Sequence, residues 1–290
     1  MTNWKLPAER TSTCPTPDDL VARREGAAAM LGGALTEGVR VVAADIGGVG
    51  CVVCEPASPR ANIVWFHGGG YRLGTADGSK VFASRLAAVA SARIVMVDYR
   101  LAPEHPFPAA VLDAAAVYRA VLDDPSWNTV PTLAGGESAG GGLTLALAVA
   151  SRDAGGPVPA GLVVISPWAD LTNSSESFTT NAATDQLFSR DSATEAAAMY
   201  LQGHDASDPL ASPARADLSG LPPTLVLASA HESLRDDALV VTGLLARAGI
   251  EVRLAVVPDV PHAWPAIFAD HPATASALED IATFVQRLAS

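Results

Sequence analysis

Apolar positions fall into two patterns along this chain. Asn62-Ile63-Val64-Trp65-Phe66 is a short run, continuous in its apolar residues after the first, which is the pattern of a strand covered on both faces. Runs of the same kind recur at 93–97, 131–134, 161–166, 224–229 and 252–257. Between and after them, residues 78–90, 109–122, 139–151, 235–248 and 273–288 read as helices. Upstream, residues 17–35 predict another helix, with Asp18 or Asp19 near its N-cap and Gly32-Gly33 as its stop. Residues 39–44 and 49–53 flank Gly47-Gly48 as an antiparallel pair. Strands alternating with helices of this length predict an α/β fold with a mostly parallel central sheet and helices on both faces. Ligands bind such sheets beyond the carboxyl ends of the strands.

The alternation is interrupted once. Between residues 166 and 224 lies a long segment rich in Ser, Thr and Asp, with a helical stretch around Ser192 to Gln202. An excursion of that length in a compact domain predicts a cap, here at about 172–212. Its apolar residues, Phe178, Leu187, Phe188, Met199, Tyr200 and Leu201, need something to cover. No linker, composition shift or repeat divides the chain, so a single domain spanning 1–290 is expected.

Composition narrows the function classes. The 290 residues carry 19 Lys plus Arg against 31 Asp plus Glu, a formal net charge of −12, with the charges scattered rather than in blocks. Such a surface repels phosphate backbones and anionic lipid, which excludes nucleic acid and membrane surfaces as expected partners. The three cysteines, Cys14, Cys51 and Cys54, are too few for a disulfide framework. Cys51 and Cys54 sit three apart in a strand and point to opposite faces, and no second Cys/His pair completes a zinc site, so both thiols read as buried structure. Residues 1–10 lack the apolar core of a signal peptide, and the longest apolar run, Leu143 to Ala150, is short of a membrane span. A soluble, cytoplasmic protein is the expectation.

Two glycine-rich motifs carry candidate chemistry. Gly136-Glu137-Ser138-Ala139-Gly140 fits G-x-S-x-G at a strand-to-helix junction, where a serine forced onto a strained turn stands proud of the sheet at a helix N-terminus. The pattern alone also fits an N-cap serine in a glycine loop. His67-Gly68-Gly69-Gly70 follows a buried strand, and its unhindered amides can point at one spot, as an oxyanion requires. A phosphate-cradling loop would need a lysine directly after the glycines, and Lys80 comes too late. His67 reads as a brace for this loop.

These two motifs, together with Asp98-Tyr99-Arg100-Leu101-Ala102-Pro103-Glu104-His105-Pro106-Phe107-Pro108-Ala109-Ala110, resemble the hormone-sensitive-lipase-like branch of the α/β-hydrolases, also called the bacterial family IV esterases. The likeness runs from about residue 35 to the C-terminus, and the first 35 residues look like the branch's N-terminal cap helices. It implies an α/β-hydrolase fold with a helical cap. It also implies Ser138 as nucleophile, an oxyanion hole from the amides of Gly69, Gly70 and Ala139, and a buttressing role for residues 98–110.

The remaining triad members follow in the order Ser, acid, His. His262, in the loop after residues 252–257, is the general base expected from order and position; His231 and His271 are the other histidines beyond the acid strand. The branch usually places an Asp two residues before a Leu-Arg-Asp run. Aligning on Leu234-Arg235-Asp236 puts Glu232 there, thirty residues before His262. Glu can do the same work with its backbone set further back, and Asp236, expected one turn into the next helix, is the rival. The resemblance implies hydrolysis of small to medium acyl esters through an acyl-enzyme, with no cofactor and no metal. Lactone hydrolysis, as in monoterpene-lactone relatives, and amide hydrolysis are variants of the same chemistry. A non-catalytic receptor on this fold can discard the base, which this chain retains. Trp168, Phe188, Tyr200 and Trp264 are candidate pocket walls, and each suits an ordinary core position equally well. Many members of the branch dimerise through a sheet edge, which leaves a homodimer open.

Overall fold

A computed structural model describes residue 4 and residues 6–290. Its elements run α1 (Leu20–Met30), β1 (Val39–Ile46), β2 (Val49–Pro56), β3 (Ala61–Phe66), α2 (Lys80–Ala90), β4 (Ala92–Val97), α3 (Ala109–Asp123), β5 (Thr132–Glu137) and α4 (Ala139–Asp153). They continue with β6 (Leu162–Ile165), α5 (Ser177–Thr180), α6 (Arg190–Leu201), β7 (Thr224–Ser229), α7 (Arg235–Arg247), β8 (Val252–Val257), α8 (Trp264–Ile267) and α9 (Pro272–Leu288).

The eight strands form one sheet in the order β1-β2-β4-β3-β5-β6-β7-β8. β1 and β2 pair antiparallel, as do β2 and β4, and every other pairing is parallel. β3 shows why its sequence is almost wholly apolar. Val64 and Phe66 enter the core on one face, with residues of α3, α4 and α7, while Ile63 and Trp65 enter the other, with residues of α2 and α9. Cys51 and Cys54 divide between the two cores in the same way. Burial pushes both thiols up to about 12, so they stay protonated and inert.

Several elements differ from the expectation, among them β5, the N-terminal helix and β8. β5 runs to Glu137, beyond the expected end at 134, because Gly135 and Gly136 continue the pairing with β3 and β6. The ring of Trp65 occupies the space a side chain at Gly135 would need. The N-terminal helix is shorter than 17–35, spanning Leu20–Met30, and residues 1–3 and 5 of the expected N-terminal cap lie outside the described residues. β8 is an edge strand, so Leu254 and Val256 are exposed despite an apolar run like those of the inner strands.

The insertion and the N-terminal segment are bound to each other. Arg23 on α1 makes a bidentate pair with Glu195 on α6, at 3.0 and 3.2 Å, and Glu195 also pairs with Arg72 beside the glycine loop. Hydrogen bonds from Arg23 and then Arg72 hold the Glu195 carboxyl down at about 2. The neighbouring Arg24 grips Glu104 at 2.9 and 2.8 Å and donates to the carbonyls of Arg72 and Ala102. Among the described residues no helix is long and apolar enough to cross a membrane.

Candidate active site

β5 ends at Glu137 and α4 begins at Ala139, so Ser138 is the whole junction between them. Its backbone stands at φ 56°, ψ −121°, a conformation L-residues rarely adopt. Gly136 and Gly140 make the turn possible. A Cβ on Gly140 would run into the carbonyl of Phe66, and one on Gly136 into the carbonyl of Gly140. The turn is locked to the end of β6, with Ser138 N donating to Ile165 O and Trp168 N to Ser138 O, both at 2.9 Å.

Ser138 Oγ lies 3.0 Å from His262 Nε2, and His262 Nδ1 lies 2.6 Å from Glu232 Oε2. All three side chains are buried. The loop carrying His262 follows β8 and is held at two points. Ser229 Oγ donates to Val260 O at 2.5 Å, and Ala263 N donates to Ser166 Oγ at 3.0 Å. Glu232 comes from the loop between β7 and α7, and its second oxygen accepts from Ser229 N at 2.9 Å. Burial disfavours the charged imidazole, but the hydrogen bond to Glu232 and its negative charge outweigh that, so His262 is held above the usual histidine value. Asp236, the rival acid, is the second residue of α7 and faces elsewhere. It accepts from Ser177 N at 2.8 Å and pairs with Arg235.

The glycine loop lies alongside. Gly69 and Gly70 take φ values of 115° and 62°, and a Cβ on Gly69 would run into the carbonyl of Leu73. Both glycines line the same cavity as Ser138. Ala139 is the first residue of α4, so its amide has no acceptor within the helix. His67 stacks on Tyr99, with ring centroids 4.4 Å apart, and its Nδ1 meets Gly68 O at 2.7 Å. The Tyr99 hydroxyl donates to His67 O at 2.7 Å. Burial holds His67 below the usual histidine value, so it is neutral and acts as part of the loop's frame.

The sequence reading passed over Glu137. Its Oε1 accepts from Gly68 N at 2.7 Å and its Oε2 from Trp65 Nε1 at 2.6 Å. One carboxyl therefore ties the glycine loop to the serine turn. Burial pushes it up to about 7, against the pull of those two bonds. The signal was present in the sequence: a carboxylate between glycine and serine at the end of an inner strand has nowhere to point but inward.

Ser138 and His262 open into a cavity of about 240 Å³. Its walls include Ala27 and Leu31 from the N-terminal segment, Leu187 and Phe188 from the insertion, and Ile267 from α8. Of the four expected wall residues only Phe188 takes that place, its ring nearly parallel to His262 at 5.9 Å. Trp168, Tyr200 and Trp264 are corrected to core positions. Trp168 packs edge-on beneath Phe188, Tyr200 stacks on Tyr71 at 3.9 Å, and Trp264 is buried on the opposite face of the sheet. Small or aliphatic wall residues such as Ala27 and Ile267 carry no sequence signal that separates them from core. Among the described residues no cluster of His, Cys, Asp or Glu could hold a metal ion.

The same architecture is found in known proteins. Residues 63–266 match the α/β hydrolase fold family. An acetyl-hydrolase of Streptomyces hygroscopicus is 43% identical over 202 residues, covering 70% of this chain and 67% of that protein. The carboxylesterase NlhH of Mycobacterium tuberculosis is 38% identical over 214 residues, covering 70% of this chain and 66% of that one. The alignments thus span about two thirds of these curated relatives. A crystal structure of an esterase from the bacterial hormone-sensitive lipase family superposes with a TM-score of 0.89 at 37% identity, covering 96% of this chain and 94% of that one. The chain belongs to the α/β-hydrolase fold family, in its hormone-sensitive-lipase-like branch of bacterial carboxylesterases.

Proposed function

We propose that this carboxylesterase hydrolyses small to medium acyl esters with Ser138 as nucleophile, His262 as general base and Glu232 as the triad acid. The observation that carries the reading is the continuous line from Glu232 Oε2 through both ring nitrogens of His262 to Ser138 Oγ, at 2.6 and 3.0 Å. His262 takes the Ser138 proton as Oγ attacks the ester carbonyl, and Glu232 fixes the tautomer and supports the imidazolium. The carbonyl oxygen becomes an oxyanion held by the amides of Gly69, Gly70 and Ala139. His262 then protonates the departing alcohol, and water, activated by the same imidazole, releases the acid from Ser138.

The cavity of about 240 Å³, with Leu31, Leu73, Leu187, Phe188 and Ile267 among its walls, supports the preference for small to medium esters. The name of the Streptomyces relative, acetyl-hydrolase, points the same way. The N-terminal segment and the insertion act together as the cap, since each contributes two of the walls named above. Hydrolysis of a p-nitrophenyl ester series from acetyl to dodecanoyl by wild type and Ser138→Ala tests the reading. Turnover that peaks at short to medium acyl chains and disappears in the variant supports it; turnover retained by the variant refutes it.

A further inference from the structure

Sheet pairing ends at Ser229, yet the four residues after it follow a defined course. Each of their backbone carbonyls accepts a side-chain hydrogen bond from the insertion. Asn181 Nδ2 donates to Glu232 O at 2.8 Å and to Ala230 O at 3.2 Å. Thr184 Oγ1 lies 2.9 Å from His231 O, and Ser177 Oγ donates to Ser233 O at 2.6 Å. Contacts also run the other way, with Ser233 N donating to Asp185 Oδ2 at 2.7 Å and Ser233 Oγ to Phe188 O at 2.8 Å. The insertion therefore grips the backbone from which Glu232 reaches His262.

Asn181 is central to this grip. It is buried, and its amide holds two carbonyls of one turn, one of them that of Glu232 itself. We propose that Asn181 is a positioning residue for hydrolysis, setting the backbone so that the Glu232 carboxylate meets His262 Nδ1. The proposal rests on Glu232 being the triad acid. A glutamate has one more side-chain torsion than an aspartate, so its carboxylate stays in place only if the backbone beneath it is fixed. The cap then does more than wall the substrate: it completes the catalytic frame.

The test compares Asn181→Ala, Glu232→Gln and the double variant by pH profiles of kcat/KM and by separate kcat and KM values. For Asn181→Ala the expected result is a fall of about tenfold or more, carried by kcat with KM little changed. The acid limb of the profile also moves to lower pH, because a less well placed Glu232 supports the imidazolium less. The double variant should be no slower than Glu232→Gln alone, since Asn181 acts only through Glu232. An unmoved acid limb, or additive losses, would overturn the proposal. If Glu232→Gln itself leaves rate and limb unchanged, the triad reading fails first, and with it this one. Should Asn181→Ala not fold, Asn181→Asp, which keeps the shape but loses the NH2 that holds the carbonyls of Ala230 and Glu232, carries the same test, and an unmoved limb there counts against the proposal equally.

Discussion

Glu232 offers His262 only one of its two carboxylate oxygens. Oε2 meets His262 Nδ1 at 2.6 Å, while Oε1 is occupied by the amide of Ser229 at 2.9 Å. Both oxygens are thus held. Glu232→Gln removes the charge and leaves an NH2 facing a donor, so kcat should fall about 10³- to 10⁴-fold. The sign of the pH effect follows from His262, which is held above the usual histidine value chiefly against its burial by Glu232. In the proposed mechanism the neutral imidazole is the base, so activity should be lost below its pKa. Weakening Glu232 lowers that pKa and moves the acid limb of kcat/KM to lower pH, which a rate profile reads directly.

Glu137 tests the glycine loop. Its two partners, Gly68 N and Trp65 Nε1, are both donors, so a glutamine there must turn an NH2 toward one of them. Glu137→Gln should shift the loop that carries Gly69 and Gly70 and lower kcat by about 10- to 10²-fold, less than outright loss of an oxyanion donor. Binding of a trifluoromethyl ketone, which mimics the tetrahedral oxyanion, should weaken in parallel with kcat. Undiminished inhibitor binding in a slowed variant would assign the loss elsewhere.

Stability should fall as pH rises toward neutrality. Burial pushes Glu137 and Asp237 each up to about 7, so between roughly pH 5 and 7 the folded protein keeps protons that the unfolded chain has released. The folded state therefore loses stability across that window, by an amount on the order of 1–3 kcal/mol for each group. His262, also raised, adds a loss in the same direction as pH climbs through its folded pKa. Thermal melts at fixed ionic strength should show a higher Tm near pH 5 than near pH 8. Asp237→Asn should flatten the slope, even though it disturbs the amides of Ala169 and Asp170 that this carboxyl accepts from.

Phe188 joins pocket shape to His262. Its ring lies 5.9 Å from that of His262, and its carbonyl accepts from Ser233 Oγ at 2.8 Å. Phe188→Ala enlarges the cavity, so the preferred acyl chain in the p-nitrophenyl series should lengthen. A destabilisation of about 3 kcal/mol, at the low end for a buried Phe, is expected because one side of the ring already faces open space. A preference unchanged from wild type would place the acyl chain on another wall.

What could be read from the sequence depended on whether a local pattern determines the answer. The buried strand at Asn62–Phe66 and the turn at Ser138 were legible because few conformations satisfy an unbroken apolar run or a serine between glycines. Glu232 and His262 were singled out by motif order, and their meeting across 30 residues rests on loops that no periodicity describes. Cavity walls were the weak point. Trp168, Tyr200 and Trp264 are large enough to wall a pocket and equally suited to a core, and only packing distinguishes the two. The contacts of Asn181 were invisible, since its acceptors are backbone carbonyls about fifty residues away.

The most direct measurement is covalent capture. Incubation with diethyl p-nitrophenyl phosphate, followed by peptide mass spectrometry, should place a single diethylphosphoryl group on Ser138, in step with loss of esterase activity. Ser138→Ala should take up none. An adduct on another residue that tracks the loss of activity, or full hydrolysis by Ser138→Ala, would contradict the assignment of Ser138 as nucleophile.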